Sequence, residues 1–244
     1  MKEKLKYGVD APLVPILYIG VGLIVLIVGI LALAGVITHY NGADWTLAYG
    51  IFMIAGGLTF IHTSLRGKFV IWKNLLSGFK IKRNSKVVDL GCGHGAVMLE
   101  VAKHLDQNGK ITGVDIWRSQ DQSNNSVHAT NKNLTDANLS VPTELVTADM
   151  RDLPFKASKF DYAVTGFAVH NIKPRADREK ALAEAYRVLK KDGKLLLVDT
   201  GSKHKEYIQK LQELGMRDIT MNQAGFNGWW SGPWMSSYII TATK

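Results

Sequence analysis

Two long uncharged runs constrain this chain more than any other feature. Residues 11–65 contain a single charged side chain, Asp44. The first run extends from Ala11 to Ala43 and the second from Trp45 to Leu65. About 20 apolar residues in a helix cross the hydrocarbon layer of a bilayer, so either run is long enough. Between them lies His39-Tyr40-Asn41-Gly42-Ala43-Asp44. Asn-Gly marks a turn, and Tyr40 and Trp45 are residue types that collect at membrane interfaces. The pattern predicts a helical hairpin over residues 1–66 that spans a membrane twice.

Lysine and arginine orient such a hairpin. Lys2, Lys4 and Lys6 precede the first run, Arg66 and Lys68 follow the second, and the connecting loop has neither residue type. Both ends are therefore expected on the cytoplasmic side of a cell membrane, in a multi-pass arrangement. Ala32-Leu33-Ala34 resembles a signal-peptide cleavage site. The apolar run is too long for such a peptide, and a second run follows.

Charge is unevenly distributed. The chain carries a net +9; residues 1–65 sum to zero, and residues 66–86 hold seven basic residues and no acidic one. A basic block beside an apolar hairpin points to anionic lipid head groups, and no nucleic-acid partner is expected. Residues 67–86 form a connector in which Phe69, Trp72, Leu75, Leu76 and Phe79 recur at helical spacing. Such a helix packs on the following domain or lies in the lipid interface. The one cysteine, Cys92, permits no internal disulfide.

From residue 87 to 244 the pattern changes to short apolar runs alternating with helical ones. Strands are expected at 87–90, 111–115, 144–147, 160–165, 194–199, 219–221 and 238–242. Helices are expected at 96–104, 123–138, 175–189 and 207–214. Alternation of this kind predicts an α/β domain: a Rossmann-like, doubly wound, mostly parallel seven-stranded sheet.

The strongest motif is Asp89-Leu90-Gly91-Cys92-Gly93-His94-Gly95, directly after the first strand. Glycine lets the backbone approach a ligand closely and adopt positive φ. The spacing is not the G-x-G-x-x-G of dinucleotide sites. It resembles motif I of class I S-adenosylmethionine-dependent methyltransferases, of the ubiquinone/menaquinone type. The resemblance covers about residues 79–244 and implies S-adenosylmethionine as cofactor, with Asp89, Gly91, Gly93 and Gly95 forming its cradle. It further implies that Asp115 accepts from both ribose hydroxyls, Ile116 packs on adenine, and Asp149, beside Met150, takes the exocyclic amine. Thr165, at the end of the fourth strand, would border methyl donor and acceptor. Lys191-Asp192 stands where the family commonly has Pro-Gly in the turn into strand five.

The acceptor side is less defined. His170, in Val169-His170-Asn171, is a candidate general base, or a histidine held in a structural hydrogen bond. The polar stretch Asp121–Asn125 reaches the site or caps a helix, with Ser123 or Asn124 preferred as the cap. No Asn-Pro-Pro-Tyr or Asp-Pro-Pro-Tyr follows strand four. The loop from Phe226 to Met235, with Trp229, Trp230 and Trp234, is either a satellite core or an aromatic wall for a membrane or an apolar acceptor.

These readings predict an integral membrane methyltransferase whose partners are the lipid bilayer and a lipophilic or head-group acceptor, with no metal. The alternatives are a protein or peptide methyltransferase acting on a membrane partner, and a non-catalytic S-adenosylmethionine-binding module. Nothing in the sequence fixes the oligomeric state.

Overall fold

A computed structural model describes residues 9–118 and 125–244. Lys2, Lys4 and Lys6, and the proposed caps Ser123 and Asn124, lie outside the described residues.

The apolar runs form α1 (Leu13–Leu33) and α2 (Ala43–His62), which pack side by side. Close approach depends on small residues, as it does where helices have only lipid as the alternative neighbour. A Cβ on Gly50 of α2 would lie 2.8 Å from the Leu26 nitrogen of α1. Both helices are long and apolar enough to cross a membrane by length and composition. Their outer faces expose Leu13, Ile16, Leu17, Ile24, Ile51, Phe52 and Leu58. Tyr40 and Thr46 are hydrogen-bonded through their hydroxyls across the turn.

α2 does not end at the apolar run. It continues through a π-helical turn (Thr63–Gly67) into α3 (Lys68–Ser77), so one helical rod runs from residue 43 to 77. α3 buries Ile71, Trp72 and Leu76 in the same core as Val97, Met98 and Val101 of α4 (Ala96–Ala102). The basic connector is thus packed into the α/β domain along one face.

The sheet comprises β1 (Lys86–Leu90), β2 (Lys110–Asp115), β3 (Thr143–Thr147), β4 (Phe160–Gly166), β5 (Leu189–Thr200), β6 (Arg217–Gln223) and β7 (Ser237–Thr243). Its order is β3-β2-β1-β4-β5-β7-β6. Strands β1 to β5 pair in parallel, while β7 runs antiparallel to β5 and β6. The run Val-Val-Asp-Leu of β1 is buried throughout, as a central parallel strand covered on both faces must be. Helices α3, α4 and α5 (Val127–Asp136) cover one face, with α6 (Arg175–Val188) and α7 (His204–Glu213) on the other. The architecture is the Rossmann-like, doubly wound mixed sheet.

Two local expectations need correction. α5 is capped by Ser126, whose hydroxyl accepts from the Ala129 N–H at 3.2 Å, not by Ser123 or Asn124. β5 begins at Leu189 and not at Lys194. The Lys191-Asp192-Gly193 turn survives as an irregularity inside the strand, with Asp192 at φ +63°.

Candidate active site

The strand order reverses between β1 and β4, and in open α/β sheets ligands sit outside the carboxyl ends of strands at such a point. A cavity of about 560 Å³ lies there. The β1–α4 turn supplies Gly91, Cys92, Gly93 and His94; the end of β2 supplies Asp115 and Ile116. The loop after β3 contributes Ala148–Arg151, and the segment after β4 contributes Gly166–Ala168.

The glycine turn is held from several sides. Gly91 and Cys92 N–H both donate to the Val114 carbonyl, and Gly93 N–H donates to Asp115 Oδ2 at 2.8 Å. From α5, the Thr130 hydroxyl donates to the Gly93 carbonyl and Asn133 Nδ2 to the His94 carbonyl. Gly91 has φ +75°, and a Cβ there would collide with that of Ala168. Gly91 therefore leaves room for the β4 loop, while Gly93 lines the cavity. Gly95, at φ +83°, forms the N-cap of α4 and does not line the cavity.

Asp115 is the best-organised polar group. Oδ1 accepts from Trp117 N–H at 2.7 Å and from Asn125 Nδ2 at 3.2 Å. Oδ2 accepts only from Gly93 N–H among the described residues. A carboxylate has about four acceptor positions, so Oδ2 keeps one for a ligand hydroxyl. Ile116, 40% exposed, offers an apolar surface beside it, and Met150 lies on the cavity wall.

Four sequence expectations change here. Asp89 is fully buried and does not line the cavity. Burial, then the Asp115 charge, pushes its pKa up to about 8, with only a weak opposing backbone hydrogen bond at Met98. Thr165 is also buried away from the cavity, because alternation along β4 turns it into the core. Asp149 lines the cavity, but its oxygens are taken by Arg151. The Arg151 backbone N–H and Nε donate to Oδ1, and Nε and Nη2 donate to Oδ2, at 2.6–3.0 Å. Those hydrogen bonds hold its pKa below the usual carboxylate range. Arg151 also bridges to Asp177 of α6 at 2.5 Å. Three Arg151 N–H protons thus already engage the two oxygens of Asp149. The His170 ring, finally, is not on the cavity wall; Nδ1 is 2.5 Å from Oδ1 of the fully buried Asp199. Asp199 also accepts from the His170 backbone N–H and the Tyr207 hydroxyl.

Sequence reasoning did not place Asp10, Lys68, Phe69 and Trp72 at this cavity, yet all four line it. They come from the foot of α1 and from α3. Asn125, named only as part of a polar stretch, lines it too. Burial pushes the Cys92 thiol well above its ordinary range, so it is an apolar wall group and not a nucleophile. Among the described residues no group of three His, Cys, Asp or Glu is placed to hold a metal.

The cavity fits S-adenosylmethionine in kind. It pairs a glycine turn with a carboxylate that has a free acceptor position, next to an apolar patch. It also contains a buried donor, Trp72 Nε1, and a buried acceptor, Asn125 Oδ1, without partners among the described residues. The sulfonium would supply an already activated methyl group. The protein's work is then alignment and exclusion of water.

Comparison with known proteins agrees. Residues 88–197 match the family model described as a methyltransferase domain. The chain is 31% identical over 134 residues to a 2-phytyl-1,4-beta-naphthoquinone methyltransferase of Arabidopsis thaliana, covering 54% of this chain and 49% of that protein. It is 30% identical to a demethylmenaquinone methyltransferase of Listeria monocytogenes, covering 52% and 50%. It is 32% identical to a ubiquinone/menaquinone biosynthesis C-methyltransferase of Rickettsia typhi, covering 57% and 54%. The chain thus spans about half the length of the curated relatives it matches. Among solved structures, a S-adenosylmethionine-dependent methyltransferase from Aquifex aeolicus superposes with TM-score 0.55 at 18% identity, covering 70% of this chain and 88% of that one. The Bacillus YcgJ protein superposes with TM-score 0.56 at 14% identity, covering 72% and 98%. The family match, residues 88–197, lies within the α/β part and outside the hairpin. Over residues 88–197 the chain is similar to methyltransferase domains, and its α/β part has the fold of the solved structures it superposes on.

Proposed function

We propose that the protein is a membrane-bound methyltransferase that moves the methyl group of S-adenosylmethionine to a lipophilic, quinone-type acceptor. The observation that carries this reading is the rod from residue 43 to 77, which joins an apolar, outward-facing helix to the wall of the cavity. An enzyme whose acceptor dissolves in the bilayer gains from confinement there, because tethering raises effective concentration. Relatives named for naphthoquinone, menaquinone and ubiquinone methylation support an apolar ring as acceptor.

In this reading α1 and α2 cross the membrane, and the basic residues at 66–86 and the N-terminus face the cytoplasm. Gly91, Gly93, Asp115, Ile116 and Met150 hold the cofactor. Asp115 receives a ribose hydroxyl on Oδ2, and Ile116 covers the base. Phe167 and Ala168 close the methyl-transfer edge.

Membranes from cells expressing the full chain, incubated with methyl-labelled S-adenosylmethionine, test the proposal. Label should enter the lipid extract and co-migrate with a quinone species. Label confined to protein would favour a protein methyltransferase. Cofactor binding without any transfer would favour a sensing module.

A further inference from the structure

Lys68 is a cation with little access to solvent. It is 7% exposed, and Nζ lies 2.7 Å from Asp10 Oδ2. The same oxygen accepts from the Ser64 hydroxyl at 2.8 Å, and the Asp10 backbone N–H donates to Ser64 Oγ at 2.7 Å. The foot of α1 is thereby tied to the π turn that follows α2. An ammonium has three protons, and Asp10 takes one. One helical turn further on, Trp72 is 2% exposed and its indole N–H has no partner among the described residues. Residues four apart share a helix face, and both line the cavity. A Cβ on Gly166, at the end of β4, would lie 3.0 Å from Trp72 Nε1, which fixes where that donor sits.

Buried donors are nearly always paired, and one left unpaired costs free energy. Lys68, with two ammonium protons beyond the Asp10 bond, and Trp72, with its indole N–H unpartnered among the described residues, line the cavity from a single helix face and can serve an acceptor atom that arrives with a ligand. Asp10 balances the Lys68 charge, so the selection comes from the donors: two ammonium protons and an indole N–H suit an oxygen that accepts more than one hydrogen bond. The geometry points to an oxyanion subsite, formed by Lys68 and Trp72, for a carboxylate or phenolate oxygen. It is built on α3, the connector helix that continues the second apolar helix, so the methyltransferase cavity is completed by the connector and not by the α/β domain alone. This inference rests on the cavity being the methyltransferase site.

Two sources of such an oxygen exist: the amino-acid carboxylate of the cofactor and a phenolate of the acceptor. Lys68→Met and Trp72→Phe variants of the full chain in lipid nanodiscs separate them. Calorimetry with S-adenosylhomocysteine and with 5′-methylthioadenosine, which lacks the carboxylate, gives one arm. Transfer of label from S-adenosylmethionine into total membrane lipid gives the other. If the cofactor carboxylate is the ligand, homocysteine-nucleoside affinity falls at least tenfold and methylthioadenosine binding holds. If the acceptor is the ligand, both nucleosides bind as before and transfer falls at least tenfold. Lys68→Arg, which keeps the charge, should recover part of either loss. The subsite is refuted if neither arm moves, or if both nucleosides weaken alike, which is the signature of a collapsed cavity. Wild-type protein that binds neither nucleoside contradicts the methyltransferase reading itself, before any variant is compared. If wild type binds but transfers no label, the nucleoside arm alone decides.

Discussion

Gly67, in the π turn between α2 and α3, meets the Asn227 carbonyl of the tryptophan-rich loop backbone to backbone. A Cβ on Gly67 would fall inside the radius of that oxygen. The contact belongs to a seam in which Thr63 Oγ1 donates to the Trp229 carbonyl at 2.5 Å and His62 pairs with Asn227. Trp230 is buried between Phe60 of α2 and Phe167 beside the cavity, with ring centroids 5.0 and 5.2 Å away. The loop is therefore a core that locks the hairpin to the domain, although Trp234, against Phe52, remains exposed.

Substitution of Gly67 tests the seam. Gly67→Ala forces backbone apart in a packed region and should cost about 1–3 kcal/mol, the usual range for overpacking. Gly78→Ala, whose nearest neighbour would be Leu75 O at 3.4 Å, should change stability by less than about 1 kcal/mol. Thermal unfolding in detergent micelles measures both. Equal effects would mean the seam does not bear on stability.

His170 separates two roles by magnitude. A general base contributes about 100-fold or more to rate. Its ring faces Asp199 and lies off the cavity wall, so His170→Ala should slow methyl transfer less than about tenfold. The same change should lower stability by about 1–3 kcal/mol, because buried Asp199 loses a partner. A loss of 100-fold or more in single-turnover rate, with stability intact, would restore the base.

Asp89 predicts a pH dependence. Its folded pKa is about 8 against an ordinary value of 3.8, so the folded state binds a proton that the unfolded state has released over that window. Stability from this group is therefore highest below pH 4, declines as pH rises from about 4 to 8, and is level above. Asp89→Asn should flatten that slope and stabilise the protein at pH 8 more than at pH 5. Denaturant unfolding at the two pH values reads the difference, and an unchanged slope would contradict the burial account.

Asp149 should matter less to cofactor affinity than its position implies. Arg151 already occupies its oxygens, so Asp149→Asn should weaken S-adenosylhomocysteine binding less than about threefold. A direct hydrogen bond from the ligand to a free carboxylate would cost about tenfold or more when lost. A loss of that size would show that Arg151 gives way to adenine.

Much of the catalytic half was legible because its signals are local. The buried run of β1, the glycines that follow it and the carboxylate ending β2 are each read within a few residues. Register along β4 decided against Thr165: the strand was found, but not which side of it faced the cavity. The Arg151 partner of Asp149 leaves no sequence signal, because it stands two residues away in a loop where no periodicity ties the pair. Lys68, Trp72 and Asp10 gave no signal of a site. Lys68 and Trp72 sit in a basic segment that reads as a connector and Asp10 at the edge of an apolar run, and only tertiary packing brings them to the cavity. Ser126 was passed over for neighbours of equal capping propensity.

Calorimetry of S-adenosylhomocysteine with the full chain and with Asp115→Ala asks whether this cavity binds the cofactor through the β2 carboxylate. The account predicts saturable binding to the wild type, and at least tenfold weaker binding once the carboxylate shared by Gly93 and the ligand is removed. No binding to the wild type, or equal binding to both proteins, would contradict it.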